Sequence, residues 1–285
     1  MNIPINYAKE LKNILAKYGF TFNKTLLSET ELEILYNVYI NDIIPNHVTN
    51  YHLIRSIGMY YESRKDCENM KKYYLMAIDK GDSRAMWILG SYYEERKEYE
   101  NMRKYYLMAI DKGNSDAMNN LGAYYGNQKD YENMKKYYLM AIDKGDSDAM
   151  CNLGSYYENQ KDYENMKKYY LMAINKGESY VMFKLGCYYE KQEDYENMKK
   201  YYLMAVDKGD KGSYKYIKKF YKTNDCYIEL LELMKIYGDK FDSDAKLHEQ
   251  CKIFQDTYCN QHAKFCVVKK YIPIDDIINI IDAYL

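Results

Sequence analysis

The residues best equipped for chemistry crowd towards the end of the chain. His248, Cys251, Cys259, His262 and Cys266 fall within 19 residues, spaced as His-x2-Cys and Cys-x2-His-x3-Cys. Imidazole and thiolate are the common ligands of zinc, so a metal site is one reading. Distance opposes it. As one helix the stretch would hold His248 and Cys266 about 27 Å apart, too far for one tetrahedral ion, and only a tight hairpin between them would bring the five together. Cys251 also shares a helical stripe with Leu247, Phe254 and Tyr258, where cysteine packs as a small hydrophobe. The favoured reading is no metal and no cofactor. The other histidines are His47 and His52, and none of the four stands in a nucleophile elbow, an HExxH pair or a glycine-rich phosphate loop. The recurrent Asp and Glu residues read as helix caps and charge partners. An enzyme is therefore the least favoured reading.

What must position any functional residue is a tandem repeat. Tyr-Glu-Asn-Met-Lys-Lys-Tyr-Tyr-Leu-Met-Ala recurs almost unchanged, with paired tyrosines at Tyr73-Tyr74, Tyr105-Tyr106, Tyr137-Tyr138, Tyr169-Tyr170 and Tyr201-Tyr202, every 32 residues. A fixed period of this length marks stacked units, none able to bury its apolar face alone. The copies run 51–82, 83–114, 115–146, 147–178 and 179–210. In the third, Met118, Leu121, Gly122 and Tyr125 have helical spacing, as do Tyr131, Met134, Tyr138, Ala141 and Ile142, so each unit reads as two helices. Asp130 is placed to cap the second helix, Gly145 to end it in a left-handed conformation, and Asp146 or Ser147 to cap the next. Glu132–Lys136, like Glu68–Lys72 and Glu164–Lys168, reads as a solvated i,i+4 pair. Gly90, Gly122, Gly154 and Gly186 inside the first helix call for close approach of the partner helix, whose small residues are Ala109, Ala141, Ala173 and Ala205.

A degenerate sixth copy occupies 211–242, with Phe220-Tyr221 in place of the first-helix tyrosines and Tyr227, Leu230, Leu233 and Met234 on the second-helix stripe. Helices are expected over 10–17 and 29–44, and an amphipathic one over 274–285. Residues 1–50 and 243–285 read as helical caps over the ends of the array.

Composition removes some function classes. The net charge of −1 gives no field towards nucleic acid or anionic membrane. No apolar run approaches the roughly 18 residues of a membrane span, and the first twenty residues lack the apolar core of a signal peptide. Cys67, Cys151 and Cys187 occupy three different places in their copies, so no repeated disulfide is expected, and the chain reads as a cytoplasmic protein with reduced thiols. The 38 tyrosines, against 7 phenylalanines, suit a thin core whose hydroxyls still reach water, and follow too from copying one tyrosine-rich unit.

The unit Ala-Met-x-Asn-Leu-Gly-x-Tyr-Tyr, followed by Asp-Tyr-Glu-Asn-Met-Lys-Lys-Tyr-Tyr-Leu-Met-Ala-Ile-Asp-Lys-Gly-Asp-Ser-Asp-Ala, resembles the Sel1-like branch of the tetratricopeptide-repeat superfamily. The resemblance covers 51–210 well and 211–242 weakly. It implies an all-α, right-handed solenoid of antiparallel helix pairs, with a concave groove lined by the first helices and an adaptor or scaffold role. Sel1-like units usually have a longer, glycine-containing turn between their helices, and a small residue where this chain has Met102, Met134 and Met166; these departures bear on the superhelical pitch. The Tyr-, Asn-, Lys- and Ile-rich wording also resembles repeat proteins of large DNA viruses of amoebae, which would place the chain in a host cytoplasm.

Second-helix residues barely vary between copies, whereas one side of the first helix varies strongly. Counting from the start of each copy, the second place reads His52, Arg84, Asp116, Asp148, Tyr180. The fifth reads Arg55, Trp87, Asn119, Cys151, Phe183, the sixth Ser56, Ile88, Asn120, Asn152, Lys184, and the ninth Met59, Ser91, Ala123, Ser155, Cys187. These places form one helical stripe, which the resemblance turns towards the groove. The favoured reading is a tailored surface for a peptide or partner protein, with Trp87 and Phe183 as anchors and Asn120 and Asn152 holding a main chain. A monomer is expected. The bland alternative is divergence on an exposed row that makes no contacts between helices. Two further alternatives are a structural array without a ligand and a helical-repeat nucleic-acid binder. The latter is disfavoured because Lys135-Lys136 and their equivalents lie on the constant helix.

Overall fold

The computed structural model describes residues 7–17, 26–223, 230, 232–234 and 236–237. Among them there are thirteen helices and no strand. They are α1 (Tyr7–Lys17), α2 (Glu29–Asn41), α3 (Tyr51–Ser63), α4 (Cys67–Asp79), α5 (Ser83–Glu95), α6 (Tyr99–Asp111), α7 (Ser115–Asn127), α8 (Tyr131–Asp143), α9 (Ser147–Asn159), α10 (Tyr163–Asn175), α11 (Ser179–Lys191), α12 (Tyr195–Asp207) and α13 (Lys211–Thr223). From α3 to α12 they form five consecutive pairs, one per copy, which is the architecture of an all-α repeat solenoid. The residues divide into two compact units, one up to Leu153 and one from Gly154, built by the same local rules.

Those rules are end rules. Asp130 caps α8 through its carboxylate, which accepts from Asn133 N at 3.1 Å and from Asn133 Nδ2 at 2.7 Å. At the far end Gly145 turns left-handed (φ 84), with Gly145 N–H donating to Ile142 O and Asp146 N–H to Ala141 O. This paired closure satisfies carbonyls that the helix leaves open. Asp146, rather than Ser147, caps α9, accepting from Ala149 N at 2.8 Å. The turn inside each pair closes in the same way, but the left-handed residue is Lys65, Lys97, Lys129, Lys161 or Glu193. α2 stops at Asn41, short of the expected 44, because Asp42 adopts φ 56 and its N–H returns to Asn37 O.

The core follows the apolar stripes. Met118 and Leu121 of α7 meet Met134, Ala141 and Ile142 of α8, all buried, and equivalents recur in the other copies. The first-helix glycines do meet the partner helix closely, but the group they make room for is a tyrosine ring, not the expected alanine. A Cβ on Gly122 would stand 2.7 Å from the Tyr138 ring, and one on Gly154 2.5 Å from that of Tyr170. A second tyrosine pair stacks within each copy, as in Tyr125–Tyr137, with centroids 5.6 Å apart and planes 3° from parallel. The expected i,i+4 pairs are replaced: Lys167 reaches Glu164 at i,i+3 (2.9 Å), while Lys168 lies over the Tyr169 ring and Lys136 over that of Tyr137. In the sixth copy Leu233 joins a core with Tyr214, Ile217 and Tyr221, against Met198, Tyr202 and Val206. Tyr227 and the helix expected over 274–285 lie outside the described residues.

Candidate functional site

The stripe of varied residues is built on a constant floor. In each pair the second-helix tyrosine lies across the first-helix glycine and points its hydroxyl along that helix. Tyr74 donates to Glu62 Oε2 (2.5 Å), Tyr106 to Glu94 (2.6 Å), Tyr170 to Glu158 (2.7 Å) and Tyr202 to Glu190 (2.7 Å). Polar ninth-place residues gather at the same hydroxyl: Ser91 at 3.1 Å from Tyr106, Ser155 at 3.0 Å from Tyr170, and Cys187, whose sulfur lies 3.3 Å from the Tyr202 oxygen. Sequence reasoning assigned these glutamates to caps and surface pairs. Their partner stands twelve residues later on another helix, so no local pattern shows it.

On this floor the fifth- and sixth-place residues link one copy to the next. Arg55 pairs with Asp82 at 2.6 Å, the two side chains 12% and 3% exposed, and Asp82 also caps α5 through Arg84 N and Ala85 N. The half-buried Trp87 donates its indole N–H to the Asn120 carboxamide oxygen (3.2 Å), while the Asn120 nitrogen donates to Asp116 O (3.3 Å). Asn152 donates to Asn119 Oδ1 at 3.0 Å. In the unit from Gly154, Lys184 pairs with Glu158 at 2.9 Å, and Phe183 meets Tyr216 edge-on at 5.4 Å. Ile88 and Cys151 are half-buried. The second place is the open one: Arg84, Asp116, Asp148 and Tyr180 are exposed, whereas His52 is partly buried beside Arg55. Of the residues singled out from sequence, Trp87, Asn120, Asn152, Phe183 and Lys184 are thus engaged inside the array, and the row does make contacts between helices.

The same floor position titrates in opposite directions in different copies. Burial raises the Glu62 carboxyl above its ordinary range in spite of the bond from Tyr74. Burial acts the same way on Glu158, but the bonds from Lys184 and Tyr170 outweigh it and hold the carboxyl low. Burial, then the Arg55 charge, depresses the His52 imidazole. Among the described residues no group of three His, Cys, Asp or Glu side chains is arranged to hold a metal ion, and no helix is long and apolar enough to cross a membrane. His248, Cys251, Cys259, His262 and Cys266 lie outside the described residues.

The family model for the tetratricopeptide repeat matches residues 115–143, 147–175 and 179–207, three consecutive helix pairs. A Sel1 repeat protein from Oxalobacter formigenes superposes with a TM-score of 0.56 at 26% identity, over 68% of this chain and 89% of that one. These three pairs are tetratricopeptide repeats, and the array resembles a Sel1 repeat protein. Two further solved structures share the fold. One is c5321, a protective antigen of uropathogenic Escherichia coli with an SLR fold, at TM-score 0.52 and 20% identity over 77% of this chain and 56% of that one. The other is pilF of Pseudomonas aeruginosa, at TM-score 0.50 and 19% identity over 70% and 95%. No curated protein sequence matches the chain. Sel1-like and tetratricopeptide repeats generally serve as protein-interaction scaffolds.

Proposed function

We propose that the chain is a non-catalytic adaptor that binds a peptide or partner protein along the first-helix stripe. The observation that carries this reading is the division of labour within the stripe. Polar fifth-, sixth- and ninth-place residues such as Arg55, Trp87, Asn120, Asn152, Ser155 and Lys184 are tied to neighbouring helices by hydrogen bonds and ion pairs. Second-place residues, Arg84, Asp116 and Asp148 in one unit and Tyr180 in the other, stand exposed and differ in charge and size. Tyr180 is 61% exposed on a helix otherwise well packed. Preorganised surfaces with exposed aromatic and charged groups lose little entropy on binding. Nucleic acid is the weaker reading, because two of the four exposed second-place residues are carboxylates.

The test is affinity purification from nuclease-treated native extract. Wild type is compared with Arg84→Glu/Asp116→Lys/Asp148→Lys and, separately, with Tyr180→Ala, all checked for helicity by circular dichroism. A protein captured by wild type and lost from either folded variant supports the stripe. Equal capture by all three removes it as the working surface.

A further inference from the structure

The third copy lacks its floor carboxylate. Where Glu62, Glu94, Glu158 and Glu190 accept from their tyrosines, residue 126 is glycine. Tyr138 lies where its counterparts do, against Gly122, yet its hydroxyl has no hydrogen-bond partner among the described residues. The residue is 6% exposed, where Tyr74, Tyr106 and Tyr170 are 0% exposed, so the hydroxyl that lacks its carboxylate stands at the solvent edge. Its pKa is pushed up to about 12 by burial alone. The ninth-place neighbour is Ala123, which has no polar group to compensate, where Ser91 and Ser155 serve Tyr106 and Tyr170. Near by on the stripe, Asn119 uses its oxygen to accept from Asn152 and keeps its amide nitrogen free of any partner among the described residues. The Tyr138 hydroxyl is left to donate to water, and an ionised acceptor in its place would exchange that bond for a stronger, charge-assisted one.

We propose that this corner of the unit up to Leu153 receives an aspartate or glutamate side chain of the partner polypeptide, which takes the place of the missing glutamate. The inference rests on the adaptor reading above and adds the chemistry of one subsite. Four copies show what the site accepts: a carboxylate oxygen 2.5–2.7 Å from a tyrosine hydroxyl. Gly126 leaves the space, since only the flexible end of Met134 stands within 4 Å of a Cβ built there. A carboxylate is preferred to a neutral acceptor because charge-assisted bonds are roughly twice as strong. Asp116 and Asp148 oppose it only weakly, being exposed and screened by water and salt.

The test uses a library of random twelve-residue segments displayed in a carrier loop, which offers no free C-terminus. It is selected on wild type, Tyr138→Phe and Gly126→Glu. Segments selected on wild type are expected to share one Asp or Glu, and changing it to Asn or Gln should weaken binding about tenfold or more. Tyr138→Phe, and Gly126→Glu, which fills the corner with the chain's own carboxylate, should each weaken the same segments by a similar factor while keeping wild-type helicity. Tyr138→Phe keeps the ring and adds no bulk, so the test does not depend on Gly126→Glu folding. Segments that bind the stripe with no shared acid, or bind both variants unchanged, overturn this inference and leave the adaptor reading standing. No selected segment on any of the three overturns both.

Discussion

The third place of each first helix is buried, and the copies fill it with Leu53, Ala85, Ala117, Ala149 and Val181; the sixth copy has Ser213, fully buried, with a hydroxyl that has no partner among the described residues. Burying a hydroxyl without a partner costs about 1–3 kcal/mol. Ser213→Ala should therefore raise stability by about 1–2 kcal/mol in urea unfolding; an unchanged or lower midpoint would show that the hydroxyl is satisfied. Glu158 offers a test with a sign. Its folded pKa is held below the ordinary value, so its contribution is present above the unfolded pKa and is lost as pH falls through the folded one. Glu62 is raised, so its contribution is full at low pH and is lost as pH rises through its folded pKa. Removing the cation with Lys184→Met should move Glu158 to the Glu62 pattern. Carboxyl NMR between about pH 3 and 7 should then show its midpoint pass from below to above the usual glutamate value. Little of this was legible beforehand. Tyr170 and Lys184 stand 12 and 26 residues from Glu158 in sequence, and only the fold brings them to it. The signal available was the coincidence, within one copy, of Gly126 and Ala123 where other copies carry Glu and a polar or larger residue.

At the scale of the helix, most of the structure was readable because end signals are local. Asp130, Gly145 and Asp146 do what their types and spacing require, each within three or four residues of its partner. The turn inside each pair was less legible, because lysine does not advertise a left-handed backbone. Lys129 at φ 62 stands where the equivalent closure of α8 uses Gly145. A side chain in that region costs on the order of 1 kcal/mol, partly offset because glycine loses more entropy on folding. Lys129→Gly is expected to raise stability by about 0.5–1 kcal/mol in urea unfolding, whereas Lys144→Gly, at an ordinary helical φ of −86, should lower it. If both substitutions move stability the same way, the left-handed residue is not strained. The second copy has a further defect. Glu98 stands at the N-cap of α6 with no side-chain bond to the backbone, while Asp66, Asp130, Asp162 and Asp194 each cap their helices. Glu98→Asp should supply the missing bond and add about 0.5–1 kcal/mol, read from the same unfolding curves.

Across the chain, the helices of each unit pack mainly against their neighbours in sequence, so stability should behave as a sum of copies and the interfaces between successive copies. The third copy begins at Ser115 and ends at Asp146, whose carboxylate caps whatever helix follows, and Ser115 and Ser147 open their helices alike. A second copy of 115–146 inserted after Asp146 therefore meets the cap and the apolar faces it needs on both sides. The lengthened protein should unfold cooperatively at a higher urea midpoint, with a denaturant slope larger by about a tenth, in line with the added surface. A lower midpoint or a separate early transition would mean that the copies are not interchangeable and that long-range packing fixes each in place. The same insertion bears on binding. It duplicates Gly126, Ala123 and Tyr138, and with them the corner that lacks a carboxylate, so acidic segments should bind with two sites per chain in calorimetry. A duplicate of 147–178 inserted after Gly177 and Glu178 would instead carry Glu158 with Tyr170, whose hydroxyl is already satisfied, and the stoichiometry should stay at one. The two insertions lengthen the array equally, so a difference in stoichiometry between them isolates the missing glutamate from the length of the solenoid.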